Sequence, residues 1–111
     1  MAELLGTFEQ IVLLAVLGLG DGAYGRAVLR AAQSGSNDAR SVSSGAVYAT
    51  LDRLEAQGLL SSRLDDGAPT RGGRVRRFYR LTSAGAAALT DARTTLERMW
   101  HGKHWPLEVP A

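Results

Sequence analysis

Cysteine is missing from this sequence of 111 residues, so the chain has no disulfide, no thiolate metal site and no cysteine nucleophile. Long apolar runs are missing as well. The longest, from Ile11 to Gly20, has ten residues, about half of a membrane-spanning helix. Because Glu3 and Glu9 lie near its start and no lysine or arginine precedes it, the run does not match a signal peptide. We therefore expect a cytoplasmic protein without a membrane partner.

No arrangement of side chains in the sequence matches a catalytic, metal or cofactor site. Gly18, Gly20 and Gly22 have the spacing of a phosphate-binding loop, but they follow a predicted helix rather than a strand and favour a helix end. His101 and His104 have no third ligand nearby, which favours a solvated pair. No nucleophile, base and orienting group combine as in a hydrolase. The sequence thus predicts no enzyme, no cofactor and no metal.

Positive charge is concentrated in one segment. The 13 basic residues exceed the 11 acidic ones by only two, and 12 of the 13 are arginine. Five arginines lie between positions 71 and 80 with no acid among them, which leaves eight basic against eleven acidic residues elsewhere. A local basic element of this kind indicates a polyanionic partner. The alternative is a charged hairpin that is merely solvated.

Hydrophobic periodicity and capping residues predict four helices and one hairpin. The predicted helices are Thr7–Leu17 with Thr7 as N-cap, Ala23–Gln33, a third from the Ser43 or Ser44 cap to Gln57, and a fourth that starts at Thr82 or Ser83 as N-cap and ends at Lys103. The predicted strands are Leu59–Leu64 and Arg74–Thr82, around a hairpin tip at Asp65–Gly73. The first helix is expected to be almost fully buried, because apolar residues cover most of its surface.

This order of elements predicts a mainly α protein with a small β-hairpin, namely a winged helix-turn-helix followed by a long C-terminal helix. We expect residues 1–82 to form the DNA-binding domain, residues 83–104 a dimerisation helix and residues 105–111 a flexible tail. All three belong to one compact unit.

The third helix is the predicted recognition helix. Ser43 and Ser44 at its start, with Ser41 just before, are small hydroxyl residues that let a helix N-terminus approach DNA phosphates. Tyr48 lies one turn further and Arg53 beyond it, so both are candidate DNA contacts. In the alternative interpretation, the serines are only caps and Tyr48 belongs to the core.

The arginine-rich hairpin is the predicted wing. Such a hairpin can lie along a phosphate backbone or enter a minor groove. Its candidate DNA contacts are Arg71, Arg74, Arg76 and Arg77. Strand alternation places Arg77 and Arg80 on opposite faces.

The last helix carries an apolar stripe through Leu89, Ala92, Leu96 and the pair Met99 and Trp100. A core of this size leaves part of such a stripe uncovered, and an uncovered stripe favours a homodimer. Trp100, with Leu96 and Met99 beside it, is the candidate binding site for a planar aromatic effector. The alternative is that Trp100 only fills the dimer core.

Three motifs in order resemble the PadR family of bacterial transcriptional regulators. They are LGTFEQIVLLAVLGLGDGAYGRAVL at the start, SSGAVYATLDRLEAQGLL in the third helix, and RGGRVRRFYRLTSAGAAAL through the hairpin into the last helix. The resemblance covers about residues 4 to 100. One departure is Ala49, where family members often carry proline.

The resemblance implies a homodimeric winged-helix repressor that binds a palindromic operator and dimerises through its C-terminal helix. The single helix after the wing resembles the short branch of the family, some members of which sense flat aromatic molecules. The expected partners are thus double-stranded DNA, a second copy of the chain and a small aromatic effector. The alternative function is a winged-helix protein–protein interaction module without specific DNA binding.

Overall fold

A computed structural model describes residues 4–37, 39–65 and 75–108. Its helices are α1 (Thr7–Leu19), α2 (Gly25–Gly35), α3 (Ser44–Ala56) and α4 (Ser83–Trp100), with short 3-10 turns at Gly20–Gly22 and Ala39–Ser41. Its strands are β1 (Leu60–Leu64) and β2 (Arg77–Leu81), which pair antiparallel. The predicted order of elements is confirmed. Residues 66–74, which hold most of the predicted hairpin tip as well as Arg71 and Arg74, lie outside the described residues.

The second helix begins two residues later than predicted, because Ala23 and Tyr24 pair with the hairpin instead. Tyr24 is extended and forms a β-bridge to Phe78. The Tyr79 N–H donates to the Ala23 carbonyl oxygen over 2.8 Å. The segment before α2 therefore covers the free edge of β2, and the prediction of a helix starting at Ala23 is wrong.

The helix caps agree with the sequence at α3 and α4 but not at α1. The Ser43 hydroxyl accepts the Ala46 N–H over 3.1 Å, and the Thr82 hydroxyl accepts the Gly85 N–H over 3.0 Å. Gly6 rather than Thr7 precedes α1, with the Glu9 carboxylate accepting its N–H over 2.9 Å. The N-terminus of α1 therefore has the carboxylate half of a capping box, while glycine offers no side chain to accept an N–H of the first turn. α4 ends at Trp100, three residues before the predicted end.

The hairpin register separates two faces. Leu60 opposes Leu81 and Ser62 opposes Tyr79, and Leu60 and Tyr79 are buried against the helices. The residues that alternate with these belong to the outer face, which holds Ser61, Arg63, Arg76, Phe78 and Arg80. The core beneath the inner face includes Val12, Leu13, Val16, Val28, Val47, Leu51, Leu54, Leu60 and Tyr79.

The first helix is not fully buried, contrary to the expectation. Val12, Leu13 and Val16 enter the core, but Leu14 and Leu17 are 52% and 56% exposed. On α4, Ala92 is buried while Leu96 remains 50% exposed. Leu14, Leu17 and Leu96 line the same groove between α1 and α4. The stripe predicted on α4 is therefore only partly covered, and α1 contributes to the same apolar surface.

No helix among the described residues is long and apolar enough to span a membrane.

α4 approaches the end of the α3–β1 turn very closely at Gly85. A Cβ at this position would overlap the Leu59 carbonyl oxygen and press on the Leu81 side chain. We expect Gly85→Ala to lower the free energy of unfolding by about 1–3 kcal/mol, because a backbone atom cannot move aside as a flexible side chain can. Thermal denaturation followed by circular dichroism measures this loss.

Gly18→Ala in α1 is the matched control, because apart from its chain neighbours and the backbone of its own helix no atom lies within 4 Å of the added methyl group. Alanine is the better helix former by about 1 kcal/mol, so this variant is expected to be at least as stable as the wild type. Equal melting midpoints for Gly85→Ala and the wild type would contradict the close approach.

Candidate nucleic-acid interface

The start of α3 presents hydroxyl groups at the surface. Ser43 uses an oxygen lone pair to cap Ala46, which leaves its own hydroxyl proton available for donation. Ser44 follows in the first turn and is exposed. Ser41 is exposed at the end of the 3-10 turn that leads into the helix. The three serines predicted as DNA contacts thus lie within four residues of chain around one helix N-terminus.

Tyr48 is neither a core residue nor a freely solvated one. Its ring lies against Gly25, the first residue of α2, where an added Cβ would sit 2.5 Å from the Tyr48 Cε1 atom. The side chain is still 43% exposed, and no hydrogen bond reaches its hydroxyl within the described part of the chain. The ring is thereby fixed by packing, while the hydroxyl is available to a ligand.

Arg53 belongs to a different side of α3. Its Nε atom lies 3.7 Å from the Glu9 carboxylate of α1, and its Nη2 atom lies 3.5 Å from the Thr50 hydroxyl. Five residues along a helix correspond to about 140° of rotation from Tyr48. The structure therefore does not bring Arg53 together with Tyr48, because its charge faces α1.

Arg77 is connected to the recognition helix through a serine. Its Nη1 atom donates to the Ser62 hydroxyl over 2.7 Å, and the Ser62 hydroxyl donates to the Glu55 carboxylate near the end of α3. This chain of hydrogen bonds crosses from β2 through β1 to α3. The guanidinium of Arg77 is thus held beside the C-terminal part of α3.

Arg76 lies on the opposite face of the hairpin, where three residues join it that the sequence analysis did not select. The Arg76 guanidinium carbon lies 4.3 Å above the Tyr24 ring, and that of Arg63 lies 4.9 Å above the Phe78 ring. The two rings are 5.6 Å apart. Alternation in β2 indicated that Arg76 and Phe78 share a face, but Tyr24 and Arg63 join them only once the strand pairing is known.

Burial raises the pKa of the Tyr79 hydroxyl above its usual range, and the nearby Asp52 and Glu55 carboxylates raise it further, against a smaller opposite effect of Arg77. Tyr79 is therefore neutral in the physiological range. Its position at the centre of β2 is structural, since it packs in the core and its N–H binds Ala23.

The predicted effector residues separate into two groups. Leu96 and Trp100 line the groove between α1 and α4, a cavity of about 640 Å³ that also includes Leu14 and Leu89. Met99 is exposed and is not among the lining residues. The structure therefore does not bring Met99 into the groove that Leu96 and Trp100 line, and its place beside an effector stays a prediction.

Among the described residues, no cluster of histidine and acidic side chains could hold a metal ion.

The comparisons with known proteins all point to regulators of transcription. A family model described as "Transcriptional regulator PadR-like family" matches residues 13–91. The Transcriptional regulator Rv3488 of Mycobacterium tuberculosis is 53% identical over 60 residues, which make up 52% of this chain. The matched region covers 50% of the length of that relative.

Two solved structures have the same fold. A PadR family transcription regulator from Clostridium difficile R20291 superposes with a TM-score of 0.70 at 21% identity, covering 85% of this chain and 91% of that one. A PadR family transcriptional regulator from Eggerthella lenta DSM 2243 superposes with a TM-score of 0.64 at 30% identity, covering 84% and 77%.

Proposed function

Since this chain belongs to the PadR-like family of transcriptional regulators, we propose that it represses transcription by binding a palindromic operator as a homodimer in the cytoplasm. Membership confirms the resemblance that the three sequence motifs carry, together with the winged-helix fold class. It also confirms the prediction that the chain is not an enzyme, because the family consists of regulators.

The observation that carries the DNA-binding proposal is the side of α3 that runs from its N-terminal serines towards the hairpin. Exposed serine hydroxyls and Tyr48 lie in the N-terminal half of α3, and the guanidinium of Arg77 lies near Glu55 towards its other end. Neutral donors with arginines beside them suit a phosphate backbone. In this proposal the hydroxyls and the wing arginines, Arg71 and Arg74 included, hold phosphates and set the position of α3 in the major groove.

Duplex DNA titrated at several salt concentrations tests this proposal. The logarithm of the association constant is expected to fall linearly with the logarithm of salt concentration. Tyr48→Phe is expected to weaken binding by about 1 kcal/mol, roughly fivefold, with an unchanged melting temperature, because only the exposed hydroxyl is lost. No salt-dependent duplex binding by the wild type would favour the protein–protein module instead. Footprinting upstream of the chain's own gene then tests for a symmetric operator.

The homodimer proposal rests on the apolar groove between α1 and α4. Both helices contribute apolar side chains to its lining, beside polar ones such as Gln10 and Glu97, and a second copy offers the same surface in return. Light scattering at micromolar concentration is expected to give about twice the chain mass of 11.8 kDa. Leu96→Glu is expected to shift the protein to a monomer, because a carboxylate in a covered apolar surface loses its hydration.

Leu107→Glu is the matched control, because Leu107 is equally apolar and exposed but does not line the groove. This variant is expected to remain dimeric. A wild-type protein that scatters as a monomer, or a Leu96→Glu variant that stays dimeric, would contradict the groove as the dimer surface.

The groove also supports a second proposal, release from DNA by a planar aromatic effector. Trp100 is 41% exposed and gives the groove an indole face, and the Trp105 ring meets Trp100 edge to face with centroids 5.5 Å apart. In a dimer built on α4, two copies of Trp100 lie at one interface, where a flat molecule can stack. Release follows if the effector binds better to a conformation that does not fit DNA.

Quenching of tryptophan fluorescence by planar aromatic cations tests the effector proposal. Saturable quenching is expected in the wild type and in Trp105→Ala, and is expected to disappear in Trp100→Ala. Trp105→Ala is the control that removes the signal of the exposed second indole. Binding of equal strength in Trp100→Ala, measured by calorimetry, would leave Trp100 as dimer packing alone.

A further inference from the structure

Four side chains on the outer face of the hairpin form a continuous row in the order Arg63, Phe78, Tyr24, Arg76. Arg63 lies 4.9 Å from the Phe78 centroid, and Arg76 lies 4.3 Å from the Tyr24 centroid. The two rings contact each other with centroids 5.6 Å apart and planes tilted by 59°. We call this set the arginine–aromatic row. It has a cation at each end and two aromatic rings between them.

Backbone pairing fixes the row across three extended segments. Arg63 in β1 lies directly opposite Phe78 in β2. The bridge between Tyr24 and Phe78 brings in the segment before α2 on the other side. The backbones of Arg63, Phe78 and Tyr24 are therefore fixed by pairing between the segments, and Arg76 directly precedes β2. The four side chains contact one another in a defined order.

The row presents positive charge that no ion pair between described residues neutralises. Neither Arg63 nor Arg76 has an acidic partner within ion-pair distance among the residues that the structure describes. A ring beneath a guanidinium covers one of its flat faces and leaves the N–H edges pointing outward. Such an edge suits two oxygens of one phosphate group, and the stacking reduces the number of conformations that binding must restrict.

The row is continuous with the surface proposed to bind DNA. Tyr24 is followed directly by Gly25, on which the ring of Tyr48 lies. Contacts therefore run from α3 through Tyr48 and the start of α2 to Tyr24 and Arg76. From there the row extends to Arg63, on the far strand of the hairpin.

We infer that the arginine–aromatic row is a second DNA-backbone contact, in which Arg63 and Arg76 hold phosphates and Tyr24 and Phe78 are positioning residues. The inference rests on the proposed DNA-binding function and adds contacts to it. Arg77 belongs to the inner face and Arg76 to the outer face, so the hairpin carries arginines on both sides. A hairpin in a minor groove meets a phosphate wall on each side, and this arrangement matches both.

Binding to a mixed-sequence duplex of about 30 base pairs, measured by fluorescence anisotropy over a salt series, tests the role of Arg63. Arg63→Ala is expected to reduce the slope of log affinity against log salt by about 0.9, the contribution of one phosphate contact. Affinity at low salt is expected to fall roughly fivefold to tenfold. Arg63→Lys keeps the charge and is expected to retain the slope with part of the affinity.

Arg98→Ala is the matched control, because it removes the same charge from an exposed position on α4, away from the row. Its salt slope is expected to equal that of the wild type.

Phe78→Leu tests whether Phe78 positions Arg63. Both arginines remain in this variant, so affinity is expected to fall at an unchanged salt slope. Since Phe78 acts through Arg63, a double variant with both Arg63→Ala and Phe78→Leu is expected to bind no more weakly than Arg63→Ala alone. Circular dichroism melting of each variant establishes the folded fraction.

A wild-type protein that binds duplex with a steep salt slope, and an Arg63→Ala variant with the same slope, would overturn this inference and leave the proposed function intact. Absence of salt-dependent binding by the wild type would overturn both. Loss of polyglutamate binding in Arg63→Ala with DNA binding unaffected would assign the row to an acidic protein instead, and would also overturn the inference.

Discussion

The hydrogen bond from the Tyr79 N–H to the Ala23 carbonyl oxygen joins the helical part of the protein to its hairpin. Because Tyr24 is extended along β2, α2 begins only at Gly25. The absence of a side chain at Gly25 gives the Tyr48 ring its place between α2 and α3. The same pairing sets Tyr24 beside Phe78 on the outer face. Thus the position of the recognition helix and that of the wing depend on one short edge pairing.

The sequence predicted the order of the elements because periodicity and capping are local properties. Ser43 and Thr82 act as caps through backbone groups three residues away, so their function is visible in a short window. The start of α2 was not predictable in this way, since Tyr24 fits a helical stripe as well as an extended edge. Only the free edge of β2, formed by residues more than 50 positions later, decides between the two.

The candidate site was predictable in part for a similar reason. The density of arginines located the wing, and the small residues at the start of α3 located the recognition helix. The partners of individual arginines were not predictable, because a long side chain reaches neighbours that only the tertiary structure provides. Arg53 turns to Glu9 on α1, and Arg63 stacks on Phe78 across a register that the sequence does not specify. Likewise, the sequence shows that apolar residues cover most of α1. It does not show whether the core of the same chain or a second copy of the chain covers each of them.

α1 contacts both surfaces to which a function is proposed here. Glu9 faces Arg53 of the recognition helix, and the next residue, Gln10, lines the groove between α1 and α4. A partly exposed ion pair at 3.7 Å is worth less than about 1 kcal/mol, so it does not by itself hold α3 in place. The buried contact of Val12, Leu13 and Val16 with the α3 core residues is the stronger connection. A molecule in the groove can therefore influence the position of α3 by moving α1 as a whole, since a packed core transmits displacement while an exposed ion pair adapts to it.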